Sequence, residues 1–368
     1  MSFRAFAFAA AILLSAPAWA AEPAPASSPA GRPLTFATGF SIPSRILGEE
    51  REVNVRLPAG YDKAGNARKY PVLYVIDGGM EQDFLHIAGL AQHAEMSGTY
   101  DTFIVVGIAT KKRIWELTPL NRDERYTTYL RASGEPVDFA SGGGVETFRR
   151  FIADEVIPFV DKSFRTDSRR ILIGESLAGF FVVDTLLKAP QHFTDYVSIS
   201  PSMWWNREEL GVRAAELLRG KSYEGRRFYV TMGSEGGTMQ RGLDRLLAAL
   251  RTPAAGALKW VYVDRRNAEH HGSIYHAAAL DAFRTLDPKP TRPGSPLSWL
   301  HIGEMAPLSP EAEADKKVPC TAERARRVTF AEIHADPAKW EALCVLTPLG
   351  QGPQPREVSK NWDARPKN

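Results

Sequence analysis

Ile171-Leu172-Ile173-Gly174-Glu175-Ser176-Leu177-Ala178-Gly179 decides the fold of this chain. The apolar run after Arg169-Arg170 predicts a buried strand, and Leu177 through Lys188 predicts a helix, with Ser176 on the sharp turn between them. Such a turn carries the serine hydroxyl clear of the backbone, and the helix N-terminus beneath it favours developing negative charge. Strand and helix pass close together there, so the flanking positions need small residues. Gly174 and Ala178 fill them, with Gly179 next; Ala178 stands where glycine is usual, a mild departure. Taken alone the pattern is a weak signal, since a serine at this point also serves as the N-cap of an ordinary helix.

Its context strengthens it. Leu258 to Val263 reads as an apolar strand, Ala277 to Leu286 as a helix, and Asn267-Ala268-Glu269-His270-His271-Gly272-Ser273 as the loop between them. A histidine after a late strand fits the chain order serine, acid, histidine. His271 directly precedes Gly272-Ser273, where a tight turn points its ring into a cleft; His270 is assigned to solvent or to support of the loop. The acid belongs between them in sequence. Glu235 follows the strand Arg227 to Met232 in the glycine-rich loop Gly233-Ser234-Glu235-Gly236-Gly237, and is the candidate that orients His271. Asp264, just after the histidine strand, is the alternative acid.

The wider pattern alternates strand and helix. Val72 to Ile76, Phe103 to Ile108, Tyr196 to Ile199 and Phe228 to Met232 are further short apolar strands suited to a sheet covered on both faces. Leu34 to Ile42 and Arg51 to Leu57 read as an antiparallel lead-in, and Val145 to Lys162 as an amphipathic helix. The expected class is α/β, with a mostly parallel central sheet, right-handed crossovers and helices on both faces. Lys111 to Gly144 is long and irregular, a candidate wall for the site.

Several stretches match one family in order: Tyr70 to Gly79, Leu117-Thr118-Pro119, Ser141 to Gly144, Gly174 to Gly179, Ser200-Pro201-Ser202-Met203-Trp204-Trp205-Asn206 and His271-Gly272-Ser273. At these residues the chain resembles the esterase family related to esterase D, and within it the periplasmic branch that includes siderophore esterases. The resemblance spans roughly residues 35 to 287. It implies an α/β-hydrolase fold with Ser176 as nucleophile and His271 as base. The acid varies in position across that family and rests on the residues alone.

An acyl-transfer site also needs oxyanion donors. The N–H of Leu177, directly after the serine, supplies one, and Gly79 in the first strand–helix loop is the candidate for the second. Trp204 and Trp205 are candidate walls of a substrate pocket, and Arg113 a candidate partner for a carboxylate or phenolate.

The chain has 368 residues, 44% of them hydrophobic, enough for one large core and an appendage. Arg4, the apolar stretch Ala5 to Leu14, and Ala18-Trp19-Ala20 predict a cleaved signal peptide over 1–20. That apolar run is shorter than the roughly 20 residues of a membrane span, so stable membrane insertion is not expected. Residues 21–33, rich in Ala, Pro and Ser, form a disordered leader, and 34–288 the catalytic domain. Residues 289–368 are a proline-rich extension whose last part, Gln351 to Asn368, is expected to lack structure. Cys320 and Cys344 lie in that extension and are expected to pair in an oxidising periplasm.

Two cysteines without matched histidines make a poor zinc site, and neither metal nor cofactor is expected. With 46 basic and 43 acidic residues the net charge is +3, and no basic stripe suggests nucleic acid. The sequence thus points to a periplasmic or secreted serine carboxylesterase acting on a small-molecule ester, siderophore-derived or otherwise bulky. A non-catalytic binding protein of this fold, and a thioester hydrolase of the esterase D type, are the alternatives. The sequence leaves the oligomeric state open.

Overall fold

A computed structural model describes residues 31–124, 128–130, 136–287 and 354–362. The expected signal peptide, most of the leader, and both cysteines lie outside the described residues. Strand β1, Thr38–Ser44, pairs antiparallel with β2, Glu49–Arg56. Strand β3, Tyr70–Ile76, leads through α1, Phe84–Ser97, to β4, Ile104–Ile108. Among its described residues the next stretch carries only short elements: α2, Arg113–Leu117, and the paired strands β5, Thr128–Leu130, and β6, Pro136–Asp138. This is the segment whose sequence reads as irregular.

Helix α3, Val145–Phe151, passes through a π-helical turn, Ile152–Val156, into α4, Ile157–Ser163. The sequence predicts one continuous helix here. Pro158 has no N–H for the ladder, and the wider turn just before it takes up the break. Then strands and helices alternate: β7, Thr166–Glu175; α5, Leu177–Lys188; β8, Asp195–Ile199; α6, Trp205–Val212; α7, Ala214–Leu218; β9, Arg227–Met232; α8, Gly237–Leu250; β10, Lys259–Asp264; α9, Ile274–Leu286. A last strand, β11, is Arg356–Val358.

Nine strands form one sheet in the order β1-β2-β4-β3-β7-β8-β9-β10-β11. The six from β4 to β10 run parallel, and the outer pairings are antiparallel. Strand side chains alternate between faces, so each strand feeds two cores. Val72, Tyr74 and Ile76 of β3 face the core formed with α3 to α8, while Leu73 and Val75 face the one formed with α1 and α9. Burial on both sides explains why these strands read as unbroken apolar runs.

The parallel strands share a direction, so the turns leaving β7, β9 and β10 gather at one edge of the sheet. Those three turns carry Ser176, Glu235 and His271. Among the described residues no helix is long and apolar enough to cross a membrane.

The final polar run departs from expectation. Residues 354–362 are ordered against the sheet edge, with Val358, Glu357 and Arg356 opposite Val261, Tyr262 and Val263. Glu357 accepts two hydrogen bonds from Arg251, at 2.7 and 2.6 Å, and Ser359 Oγ accepts one from the Trp260 N–H. A three-residue edge strand with one half-buried side chain needs no apolar pattern, which is why composition hid it.

Candidate active site

Ser176 sits between β7 and α5 with φ 60° and ψ −119°, a conformation that costs a non-glycine residue free energy. Two backbone bonds hold it there: its N–H donates to the Ile199 carbonyl at 3.0 Å, and its carbonyl accepts from the Ser202 N–H at 3.0 Å. The close crossing of strand and helix explains Gly174. A Cβ there would lie 2.6 Å from the Ala178 backbone and 2.7 Å from the Ala178 Cβ. Alanine at 178 is accommodated because the glycine opposite leaves room for it.

His271 Nε2 lies 3.0 Å from Ser176 Oγ, and His271 Nδ1 lies 2.9 Å from Glu235 Oε1. The two loops are tied together, since the Ser234 N–H donates to the Glu269 carbonyl at 2.9 Å. Beyond Glu235, Gly236 and Gly237 have φ of 63° and 52°, values that let the loop turn back sharply into α8. His270 is exposed, and its Nδ1 accepts the Gly272 N–H at 3.1 Å, bracing the turn beneath His271. Asp264 is elsewhere: it is bound at 2.5 Å to Arg266 on the surface and makes no contact with His271.

Electrostatics favour a charged acid beside a basic imidazole. Burial pushes the Glu235 carboxyl up, but the His271 ring and the Ser200 hydroxyl outweigh it and leave it below the usual carboxylate range. The bond to Glu235 raises the His271 imidazole above its ordinary value; burial opposes this and Glu175 adds to it. With Nδ1–H committed to Glu235, the Nε2 lone pair faces the serine. A hydroxyl, imidazole and carboxylate in this row can move the hydroxyl proton onto the imidazole while the carboxylate steadies the resulting charge.

The row opens into a cavity of about 1150 Å³. Ser176, Leu177, Ser202 and His271 form its floor, and Trp204, Met239, Ile114, Trp115 and Phe139 its apolar walls. Lys111, Lys112 and Arg113 line one side, with Glu49 and Asp138 also present. The sequence singled out Arg113 but neither lysine, nor Trp115 and Phe139; the long irregular segment that holds them was the available signal. Arg113 Nε donates to Asp77 Oδ2 at 2.7 Å while the side chain stays 38% exposed.

Two sequence candidates take other roles. Trp205 is 1% exposed and does not line this cavity; its Nε1–H donates to the Pro119 carbonyl at 3.2 Å and its ring packs against Phe139 and Trp204. The backbone turns left-handed over Asn206, Arg207 and Glu208 directly after the two tryptophans. Gly79 is not a free donor, because its N–H is bound to Gln82 Oε1 at 2.9 Å and Gly79 does not line the cavity. The carboxamide three residues on closes that loop on itself. Leu177 is the first residue of α5, so its N–H has no acceptor within the helix and lies beside Ser176.

The chain is 30% identical over 146 residues to the ferri-bacillibactin esterase of Bacillus subtilis, covering 38% of this chain and 50% of that protein. It is 29% identical over 183 residues to the siderophore enterobactin esterase of Emericella nidulans, covering 46% and 59%. The chain thus spans about half the length of the curated relatives it matches. An IroE-like serine hydrolase from Shewanella oneidensis has a TM-score of 0.56 and 25% identity, over 68% of this chain and 80% of that one. With the sheet order, this likeness establishes the α/β-hydrolase fold. Residues 44–282, well over half of the chain, match the model of the family described as "Putative esterase", and the chain belongs to this esterase family.

Proposed function

We propose that this protein is an exported serine carboxylesterase that cleaves bulky esters through an acyl-enzyme, with Ser176 as nucleophile, His271 as base and Glu235 as orienting acid. The observation that carries the proposal is the unbroken row of contacts from Ser176 Oγ through His271 to Glu235 on the floor of a large cleft. In the first half-reaction Ser176 Oγ attacks the ester carbonyl and its proton passes to His271 Nε2. The oxyanion meets the Leu177 N–H at the start of α5, where the helix dipole also favours negative charge. The proton then goes to the departing alkoxide. Water, activated by the same imidazole, attacks the acyl-enzyme and releases the acid.

The cleft supports a large substrate, since its volume exceeds the upper end of the ~300–1,000 Å³ common for small-molecule pockets. Aromatic walls and the Lys111-Lys112-Arg113 side suit an ester with flat, anionic groups. Siderophore esters combine those features, and two relatives are named for acting on them. Export is read from the first twenty residues and predicts a mature chain beginning at Ala21.

The test is a hydrolysis screen of purified protein against p-nitrophenyl esters and ferric and iron-free siderophore esters, with Ser176→Ala in parallel. Turnover by the wild type and none by the variant is expected. A wild type inert on every ester would overturn the proposal. N-terminal sequencing of the periplasmic protein tests export.

A further inference from the structure

Glu175 directly precedes the serine, at the end of a strand that is otherwise apolar near its C-terminus. Its side chain is 15% exposed, and its Oε1 lies 3.3 Å from His271 Nε2, the same nitrogen that contacts Ser176. That oxygen is shielded from solvent and accepts no hydrogen bond from any described residue. A buried carboxylate serving only the fold is expected to take an Arg, a Lys or a backbone N–H. Arg113 stands close, yet its Nε goes to Asp77.

We propose that Glu175 is a positioning residue for His271, a second carboxylate that acts at Nε2 as Glu235 acts at Nδ1. The inference rests on the esterase reading given above. While His271 is neutral, Nε2 presents a lone pair to the Ser176 hydroxyl, and Glu175 has nothing to accept. When Ser176 attacks, its proton moves to Nε2, and a new N–H appears 3.3 Å from Glu175 Oε1. The attraction exists only after proton transfer, so it stabilises the charged intermediate more than the resting enzyme. The proton still ends on the leaving alkoxide; Glu175 makes and breaks no covalent bond.

The surroundings set the strength of this effect. Burial is the largest influence on Glu175 and raises its carboxyl; His271 and Arg113 pull it down, while Asp83 and Asp77 push it up. The balance is about 7. Asp77 comes from the turn after β3, Asp83 from the start of α1 and Arg113 from α2. Tyr275 of α9 faces the same groups with its hydroxyl buried and un-ionised. Glu235 reaches His271 from the opposite side. Each group is among the influences on the other, so the titrations of Glu175 and His271 are coupled.

The experiment compares Glu175→Gln and Glu175→Asp, each with and without Ser176→Ala. The titration of the His271 ring is followed by NMR, and kcat and KM are measured against pH. Glu175→Gln removes the charge at constant shape. It should lower the His271 titration by about one pH unit and kcat by about tenfold at unchanged KM. Glu175→Asp keeps the charge and withdraws it by one methylene, so it should fall between Gln and wild type on both measures. An unmoved His271 titration in Glu175→Gln overturns the proposal, as does equal loss of kcat in both variants with wild-type titration. If Glu175→Gln does not fold, Glu175→Asp decides alone: a partial downward shift supports the proposal and no shift overturns it. The NMR titration needs no turnover. A shifted His271 in a protein inert on all esters would therefore refute the esterase reading and still support the Glu175 contact.

Discussion

The two sides of the cleft are built on different principles. One side is the floor, made of turns leaving parallel strands of the main sheet: Ser176 after β7 and His271 after β10, with Glu235 after β9 behind His271. Backbone bonds at 3.0 Å fix Ser176 at a costly φ, and another at 2.9 Å ties the acid loop to the histidine loop. The opposite side comes from residues 111–116 and 136–141, where a five-residue helix and a two-stranded sheet stand outside the main sheet, joined by Trp204 from the turn after β8. Its surface is made by aromatic rings and long cations rather than by fixed backbone. The contrast is between a floor fixed by backbone hydrogen bonds of the main sheet and a side shaped by side chains outside it.

If that division is right, the two sides should fail differently. The largest effect belongs to Ser176→Ala, expected to lower kcat at least ~10⁴-fold with the fold intact by circular dichroism. Residual turnover above that would mean another nucleophile. Glu235→Gln comes next. It should cost ~100-fold or more in kcat with little change in KM, because it removes support for the imidazolium and not substrate contact. Asp264→Asn should stay within about threefold, since Asp264 is paired with Arg266 at the surface; the reverse ranking would break the assignment.

On the other side, Trp204→Ala should reduce kcat/KM for a bulky aromatic ester by about tenfold while leaving an acetate ester almost unchanged. Equal losses on both esters would place Trp204 with the chemistry instead. The smallest effect concerns pH. His271 must be neutral to act, and its imidazole is held above the ordinary value by Glu235 and Glu175. The acidic limb of kcat/KM should accordingly lie above ~6.5 and move down in Glu235→Gln. A limb at or below ~6.5 in the wild type would contradict the double support.

The same division explains what could be read before any coordinates. Strand–turn–helix punctuation is local, so Ser176 and His271 stand out from apolar runs and glycines alone. Glu235 was legible for a similar reason, with Gly233, Gly236 and Gly237 marking a tight loop. Asp264 was the alternative, and the structure separates the two: Glu235 lies against His271 Nδ1, while Asp264 pairs with Arg266. Trp204 and Trp205 could not be told apart, because adjacent side chains point to different surroundings and only tertiary packing decides which ring meets the cavity. Gly79 reads as a donor from its glycine-rich turn, but its N–H is taken by the Gln82 carboxamide, a side-chain contact that no periodicity reports. Strand β11 was hidden by its polar composition, since an edge strand gains its order from backbone pairing and from the bonds of Glu357 to Arg251.

The central claim is that the serine on the β7 turn forms the covalent intermediate. The most direct measurement is mass spectrometry of peptides from protein treated with a fluorophosphonate or quenched during ester turnover. The adduct should sit on Ser176, and the yield should fall sharply in Glu235→Gln and hardly at all in Asp264→Asn. An adduct on another residue, or none with active protein, would contradict it.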